Sequence, residues 1–288
     1  MAERPTTTKD FSDHNDNHLN GDESSENALR RIRTAGSLSI SPELFEKIYL
    51  SPQNAVKGDL RKTFGNPTPL ALLGFILSLT PLSCDLMGWR GAGGNGAASE
   101  GVYFFMGGLL MIIGGVLEFF LGNTFPFVVF SSFGGFWLSF AATLQPVYNA
   151  YGAYSTDPTN PAQGIKTPAF NASFAFFLLF MGLLCFIYLI CALRTNMVFV
   201  VIFVTLVLGF ELLAATYWQL AEGNASLAGK LEIAGGACLF VTSMAGWYIF
   251  FAQMLAALDF PLSLPVGDLS TMIRGASERA AAKAQHAV

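Results

Sequence analysis

Three carboxylates lie inside otherwise apolar stretches of this chain: Asp85, Glu118 and Glu211. An ionisable group in hydrocarbon is costly, so each is a candidate for carrying a proton, holding a polar solute or pairing across helices. Asp85 and Glu118 fall near the ends of their stretches, within reach of an interface, where structural or capping roles compete with transport roles. Glu211 sits deeper and suits a polar cavity, a cross-helix pair or a proton site. No Lys or Arg lies deep in any apolar stretch. That excludes a retinal-type Schiff base and leaves no fixed deep cation for an anionic solute. The three histidines, His14, His18 and His286, lie in the polar ends, so no metal site or imidazole relay is expected in the apolar part. The four cysteines, Cys84, Cys185, Cys191 and Cys238, sit in apolar runs without a C-x-x-C pair and read as small packing hydrophobes. No H-E-x-x-H, G-x-S-x-G, Walker loop or dinucleotide fingerprint occurs. The residues therefore predict no enzyme, no cofactor and no nucleic-acid partner, and any transport must be driven by solute or ion gradients.

The elements that position these groups follow from composition. Of 288 residues, 52% are hydrophobic and only 12% charged, against roughly 25% charged in a soluble domain. The deficit is uneven: the first 66 residues are polar and charged, and the charges thin out sharply from 67 to 257. A bilayer core about 30 Å thick needs roughly 20 apolar residues in a helix. Six stretches qualify: Pro67–Met87, Val102–Leu121, Phe125–Leu144, Phe170–Leu193, Met197–Leu220 and Ile233–Leu258. They are too long and continuous for barrel strands. The expected fold is an all-α membrane protein, a six-helix bundle over 66–258, in contact with membrane lipid. A disordered cytoplasmic tail over 1–40, a juxtamembrane segment over 41–65 and a C-terminal tail over 259–288 complete the chain.

Basic residues set the expected orientation. Lys47, Lys57, Arg61, Lys62, Arg194, Arg274, Arg279 and Lys283 fall on one side, and only Arg90, Lys166 and Lys230 on the other. Both termini are thus expected in the cytoplasm, with the plasma membrane as the site. The sequons Asn171-Ala172-Ser173 and Asn224-Ala225-Ser226 fall on the expected outer side. In the N-terminal tail, Arg30-Arg31-Ile32-Arg33-Thr34 and nearby Ser37 resemble a substrate for a basic-directed kinase; the alternative is a solvated tail with incidental charges. Ser41-Pro42-Glu43 reads as a helix start, with Leu44, Phe45, Ile48 and Tyr49 on one face. Within the spans, Gly107 and Gly114, Gly108 and Gly115, and the run Ser131, Gly135, Ser139 recur at helical spacing, which allows close helix packing or an oligomer contact. Pro81 is expected to kink the first helix.

Asn66-Pro67-Thr68-Pro69-Leu70-Ala71-Leu72 resembles the N-P-A-P-L-G-L signature of the acetate uptake transporter family, which includes bacterial succinate–acetate permeases and fungal acetate transporters. Glu118, Gly122-Asn123-Thr124-Phe125 and Ser132-Phe133-Gly134-Gly135-Phe136-Trp137-Leu138-Ser139 follow in matching order. The resemblance spans roughly residues 60–258. It implies a six-helix protomer in a homo-oligomer, usually a hexamer, with a separate solute path through each protomer. It also implies an apolar constriction, which carries over by position to Phe75, Phe133 and Leu206. Asn66 and Thr68 would stand at the pore mouth, where Asn66 could hydrogen-bond a solute or cap the helix. The chain departs from the family pattern at Phe133, where relatives offer a Tyr hydroxyl, at Met111, often Gln, at Ala71, Gly in the signature, and at Glu211, in a stretch usually apolar.

These residues imply a proton-linked permease or channel for acetate and related short monocarboxylates. Two alternatives stay open. One is a non-transporting membrane sensor or scaffold. The other is a channel for a neutral solute such as ammonia or urea, which Phe133 and Met111 favour.

Overall fold

A computed structural model describes residues 64–269 and 272–273. The phosphorylation candidates Thr34 and Ser37, the N-terminal tail and the amphipathic segment from Ser41 lie outside the described residues. Six helices are long and apolar enough to cross a membrane. They are α1 (Thr68–Leu86), α2 (Gly94–Phe120), α3 (Thr124–Leu144), α4 (Pro168–Ala192), α5 (Met197–Ala221) and α6 (Ala225–Ala257). The fold is an all-α integral membrane bundle.

Two boundaries differ from the sequence reading. α6 starts at Ala225, not Ile233, because Lys230 and Glu232 interrupt the hydropathy without interrupting the backbone. α2 starts with a 3-10 stretch, Gly94–Ser99, and contains a π-helical segment, Tyr103–Gly108. α1 runs continuously through Pro81.

Local chemistry explains the helix ends. Thr167 caps α4 by accepting the Phe170 amide, with Pro168 at the first helical position. Asn196 caps α5 by accepting the Phe199 amide at 3.0 Å. α2 ends in a Schellman turn: the Asn123 amide donates to the Glu118 carbonyl and the Gly122 amide to the Phe119 carbonyl, both at 2.9 Å. Gly122 adopts φ 75°, where a Cβ is disfavoured. The same pattern closes α5, with Gly223 at φ 82°.

α1, α3 and α5 start on one face of the bundle, the near face, and α2, α4 and α6 return from the far face. Backbone contacts run α4–α5–α6–α1–α2–α3. Rings fill the α3–α4 seam: Phe136 stacks on Phe177 at 5.8 Å and Phe125 meets Tyr188 edge-on at 6.0 Å. Glycines tighten the α1–α2–α3 side. A Cβ on Gly107 would strike Trp137 and Ser78, one on Gly114 would strike Ala71, and one on Gly115 would strike Ser131. These positions therefore serve packing within the chain. Gly135 differs, with no atom within 4 Å of an added Cβ.

The far-face loop between α3 and α4 is organised by Asp157, which accepts the Thr159 amide at 2.9 Å and hydroxyl at 2.6 Å. Those bonds hold its carboxyl below the usual carboxylate range. On the near face the chain folds back after α6. The Leu269 amide donates to the Thr195 carbonyl, and the Met197 amide donates to the Gly267 carbonyl. Tyr248 donates its hydroxyl to the Pro265 carbonyl at 2.7 Å.

Candidate functional site

A cavity of about 260 Å³ opens on the far side of the bundle. α1 contributes Leu79, Leu82 and Leu86, α3 contributes Phe136 and Phe140, and α5 contributes Phe210 and Leu213. Leu178 of α4 and Leu239 of α6 complete its apolar wall. Polar groups collect in the same lining: Asn95, Lys166, Asn171, Thr216, Tyr217 and Glu232. Such an apolar chamber with a few polar groups has the make-up of a small-solute site. Two of those groups are already engaged within their helices. Asn171 donates its side-chain amide to the Thr167 carbonyl at 3.1 Å, and Thr216 donates its hydroxyl to the Leu212 carbonyl at 2.9 Å. Asn171 is buried, so its sequon offers no exposed acceptor, whereas Asn224 is exposed at the α5–α6 turn.

The apolar trio lies directly below this chamber. Phe75 precedes Leu79 by one turn of α1, Phe133 precedes Phe136 by one turn of α3, and Leu206 precedes Phe210 by one turn of α5. All three are buried in the central core cluster. Phe75 meets Phe133 edge to face, with centroids 6.2 Å apart. Gly246 of α6 packs against the same part of α1, where an added Cβ would strike Ile76 and lie 3.4 Å from the Phe75 ring. Tyr188 of α4 packs on Phe133 at 6.4 Å. Its hydroxyl and that of Ser132 are 3.0 Å apart. A phenolic hydroxyl thus stands beside Phe133 from another helix, a neighbour that sequence reasoning missed because Tyr188 reads as one more aromatic in an apolar run.

On the near face Thr68 and Glu118 come together across fifty residues. Thr68 donates its hydroxyl to one carboxylate oxygen of Glu118, and Asn123 donates its amide to the other at 2.6 Å. Glu118 is fully buried, which corrects the expectation that it reaches an interface. The Schellman turn explains the difference, because it folds Asn123 back over the carboxylate. Thr68 is itself buried, its hydroxyl facing Glu118 and not an open mouth. Asn66 caps α1: its side-chain oxygen accepts the Thr68 amide at 3.0 Å.

The other two acids stand apart from these groups. Asp85 is half-buried in the last turn of α1 and takes no part in the chamber lining. Glu211 is half-buried against α4, where a Cβ on Gly182 would lie 2.3 Å from its carboxylate. Glu232, one residue before the sixth apolar stretch of the sequence reading, lies in the chamber lining.

Six helices long and apolar enough to cross a membrane, with an apolar chamber above the packed Phe75, Phe133 and Leu206, define a polytopic integral membrane protein. The chain belongs to the GPR1/FUN34/yaaH family, whose profile matches residues 50–271. It is 49% identical over 249 residues to Protein alcS of Aspergillus fumigatus, covering 86% of this chain and 91% of that one. It is 32% identical to the acetate transporter protein patA of Aspergillus clavatus, over 72% of this chain and 80% of the relative. Ammonia transport outward protein 3 of Saccharomyces cerevisiae is 31% identical, over 67% of this chain and 64% of its own length. Among solved structures, the bacterial acetate channel SatP superposes with a TM-score of 0.55 at 25% identity, covering 71% of this chain and 99% of that one.

Proposed function

We propose that this protein is a permease or channel for acetate and related short monocarboxylates. In this reading the solute crosses each protomer from the far-face chamber past Phe75, Phe133 and Leu206. The observation that carries it is the register: the chamber floor stands one turn above all three residues, on three different helices. The acetate transporter patA and the acetate channel SatP support the choice of solute.

The chemistry of the route favours the neutral acid. Lys166, exposed in the chamber lining, raises the local concentration of carboxylate anions. The rings below it offer no compensation for an ionised carboxylate, whose desolvation is heavily penalised. Proton-linked transfer therefore follows, with uptake favoured by an acidic exterior. A carboxylic acid with a pKa near ~4.3 is about a hundred-fold more protonated at pH 5 than at pH 7. In this reading the near face and both termini are cytoplasmic and the membrane is the plasma membrane; the orientation is supported by the Lys and Arg excess in the sequence flanking the near ends of the spans. The exposed apolar surface of α2, including Phe105, Phe119 and Phe120, suits lipid and neighbouring protomers of a homo-oligomer, a hexamer by resemblance. In the same reading Glu118 holds the near mouth together with Thr68 and Asn66, and Glu211 and Asp85 are polar groups beside the route.

A second reading, a channel for a neutral solute such as ammonia, is favoured by the bare ring at Phe133 and by the yeast relative named for outward ammonia transport. Radiolabelled acetate uptake at external pH 5 and 7, in a host lacking its own carriers, separates the two. Saturable uptake that falls at pH 7 supports the carboxylate permease. Acetate uptake no better than empty membranes, beside facilitated ammonia flux, selects the second reading. The absence of both fluxes with the protein at the surface points to a sensor or scaffold.

A further inference from the structure

α6 carries a heptad-spaced stripe whose far half lines the chamber. Residues seven apart on a helix return to within about 20° of one another. Glu232, Leu239, Gly246 and Gln253 stand at that spacing. The first two line the far chamber, and the third packs on α1 at Ile76 and the Phe75 ring. Gln253 lies about two turns further toward the near face, 1% exposed. Among the described residues its amide nitrogen and amide oxygen both lie buried without a hydrogen-bond partner. A buried amide with neither donor nor acceptor satisfied is uncommon and asks for a chemical reason.

We propose that Gln253 is a carboxyl-recognition residue on the near side of the aromatic constriction, and that it selects the protonated acid over its anion. The inference rests on the permease reading and deepens it. A primary amide presents one donor edge and one acceptor edge. A neutral carboxylic acid presents the matching pair: its carbonyl accepts from Nε2–H and its hydroxyl donates to Oε1. A carboxylate offers two acceptors, so one of its oxygens would face Oε1 without a proton between them. Gln253 thus supplies a specific partner for an acid that has crossed the rings uncharged, before release at the near face.

Acetamide tests this, because it matches acetic acid in size, stays neutral, and also pairs its donor and acceptor edges with an amide. Inhibition of saturable radiolabelled acetate uptake by acetamide is measured in the full-length protein and in Gln253→Met and Gln253→Asn at pH 5. Acetamide is expected to compete in the wild-type protein. Its inhibition constant and the KM for acetate rise about thirty-fold in Gln253→Met, the size of two lost neutral hydrogen bonds, and recover in part in Gln253→Asn. A purely structural amide predicts otherwise, since replacing an unpaired buried polar group by an apolar one of similar volume is neutral or stabilising. Unchanged constants in Gln253→Met, or its failure to reach the membrane, overturn the inference while leaving the permease reading standing. Absence of saturable acetate uptake by the wild-type protein overturns both.

Discussion

Phe75 stands edge-on to Phe133, with ring centroids 6.2 Å apart, directly beneath the floor of the far chamber. The two rings come from α1 and α3, and Gly246 of α6 makes room for Ile76 of α1, next to Phe75 in sequence. Edge-to-face pairs of this kind contribute about 0.5–1.5 kcal/mol beyond their burial. The contact therefore both holds the bundle and narrows the route.

Truncating that ring should widen the route. Phe75→Ala is expected to admit bulkier monocarboxylates such as benzoate and to weaken the preference for acetate. Competition of unlabelled acids against labelled acetate measures it. An unaltered competition series at normal surface expression would place the route elsewhere.

The buried bonds of Glu118 predict a stability effect. Glu118→Ala leaves the Thr68 hydroxyl and the Asn123 amide buried without their carboxylate, at a cost of about 2–4 kcal/mol. Glu118→Gln keeps a side-chain oxygen acceptor and should lose less than half of that. Thermal unfolding of the purified protein, followed by loss of its size-exclusion peak, reads the order. Equal melting of Glu118→Ala and wild type would contradict the assignment.

Two glycines with different surroundings should respond oppositely. Gly114→Ala forces a methyl to within 2.7 Å of Ala71 Cβ and 3.0 Å of its amide nitrogen, an overpacking that costs about 1–3 kcal/mol. Gly135→Ala meets nothing within 4 Å and gains helix propensity of up to about 1 kcal/mol. The same melting assay decides. If Gly135→Ala instead lowers the apparent size on size exclusion, that open face is an intersubunit contact.

Lys166 bears on charge selection at the entrance. Lys166→Glu should raise the KM for acetate several-fold at low ionic strength, and the effect should shrink at 0.15 M salt, where screening acts over about 8 Å. Flux of an uncharged solute should not change. A salt-independent loss would mean that Lys166 acts by packing.

Much of this arrangement is legible in the sequence because hydropathy alone defines a membrane helix. All six spans follow from it. The errors have physical causes. The start of α6 is missed because Lys230 and Glu232 lower the hydropathy where the backbone is already helical. The π-helical segment in α2 ends on Gly107 and Gly108, which lie close against Trp137, Ser78 and Leu138, long-range contacts that no local pattern encodes. Glu118 looks accessible by position, since nothing in its own helix announces that Thr68 and Asn123 will enclose it. Gln253 is overlooked when only ionisable groups are searched for within the spans, and Tyr188 because it reads as one more aromatic in an apolar run. A polar amide amid Phe250, Phe251, Ala252 and Met254 is the signal that was available.

The central claim, that solute passes Phe75, is tested most directly by substituted-cysteine block. Cys84, Cys185, Cys191 and Cys238 are replaced, and Phe75→Cys is treated with a small methanethiosulfonate reagent during acetate uptake. The account predicts that the reagent abolishes uptake, that acetate slows the block, and that the cysteine-free parent is unaffected. Full labelling at position 75 with undiminished uptake would contradict it.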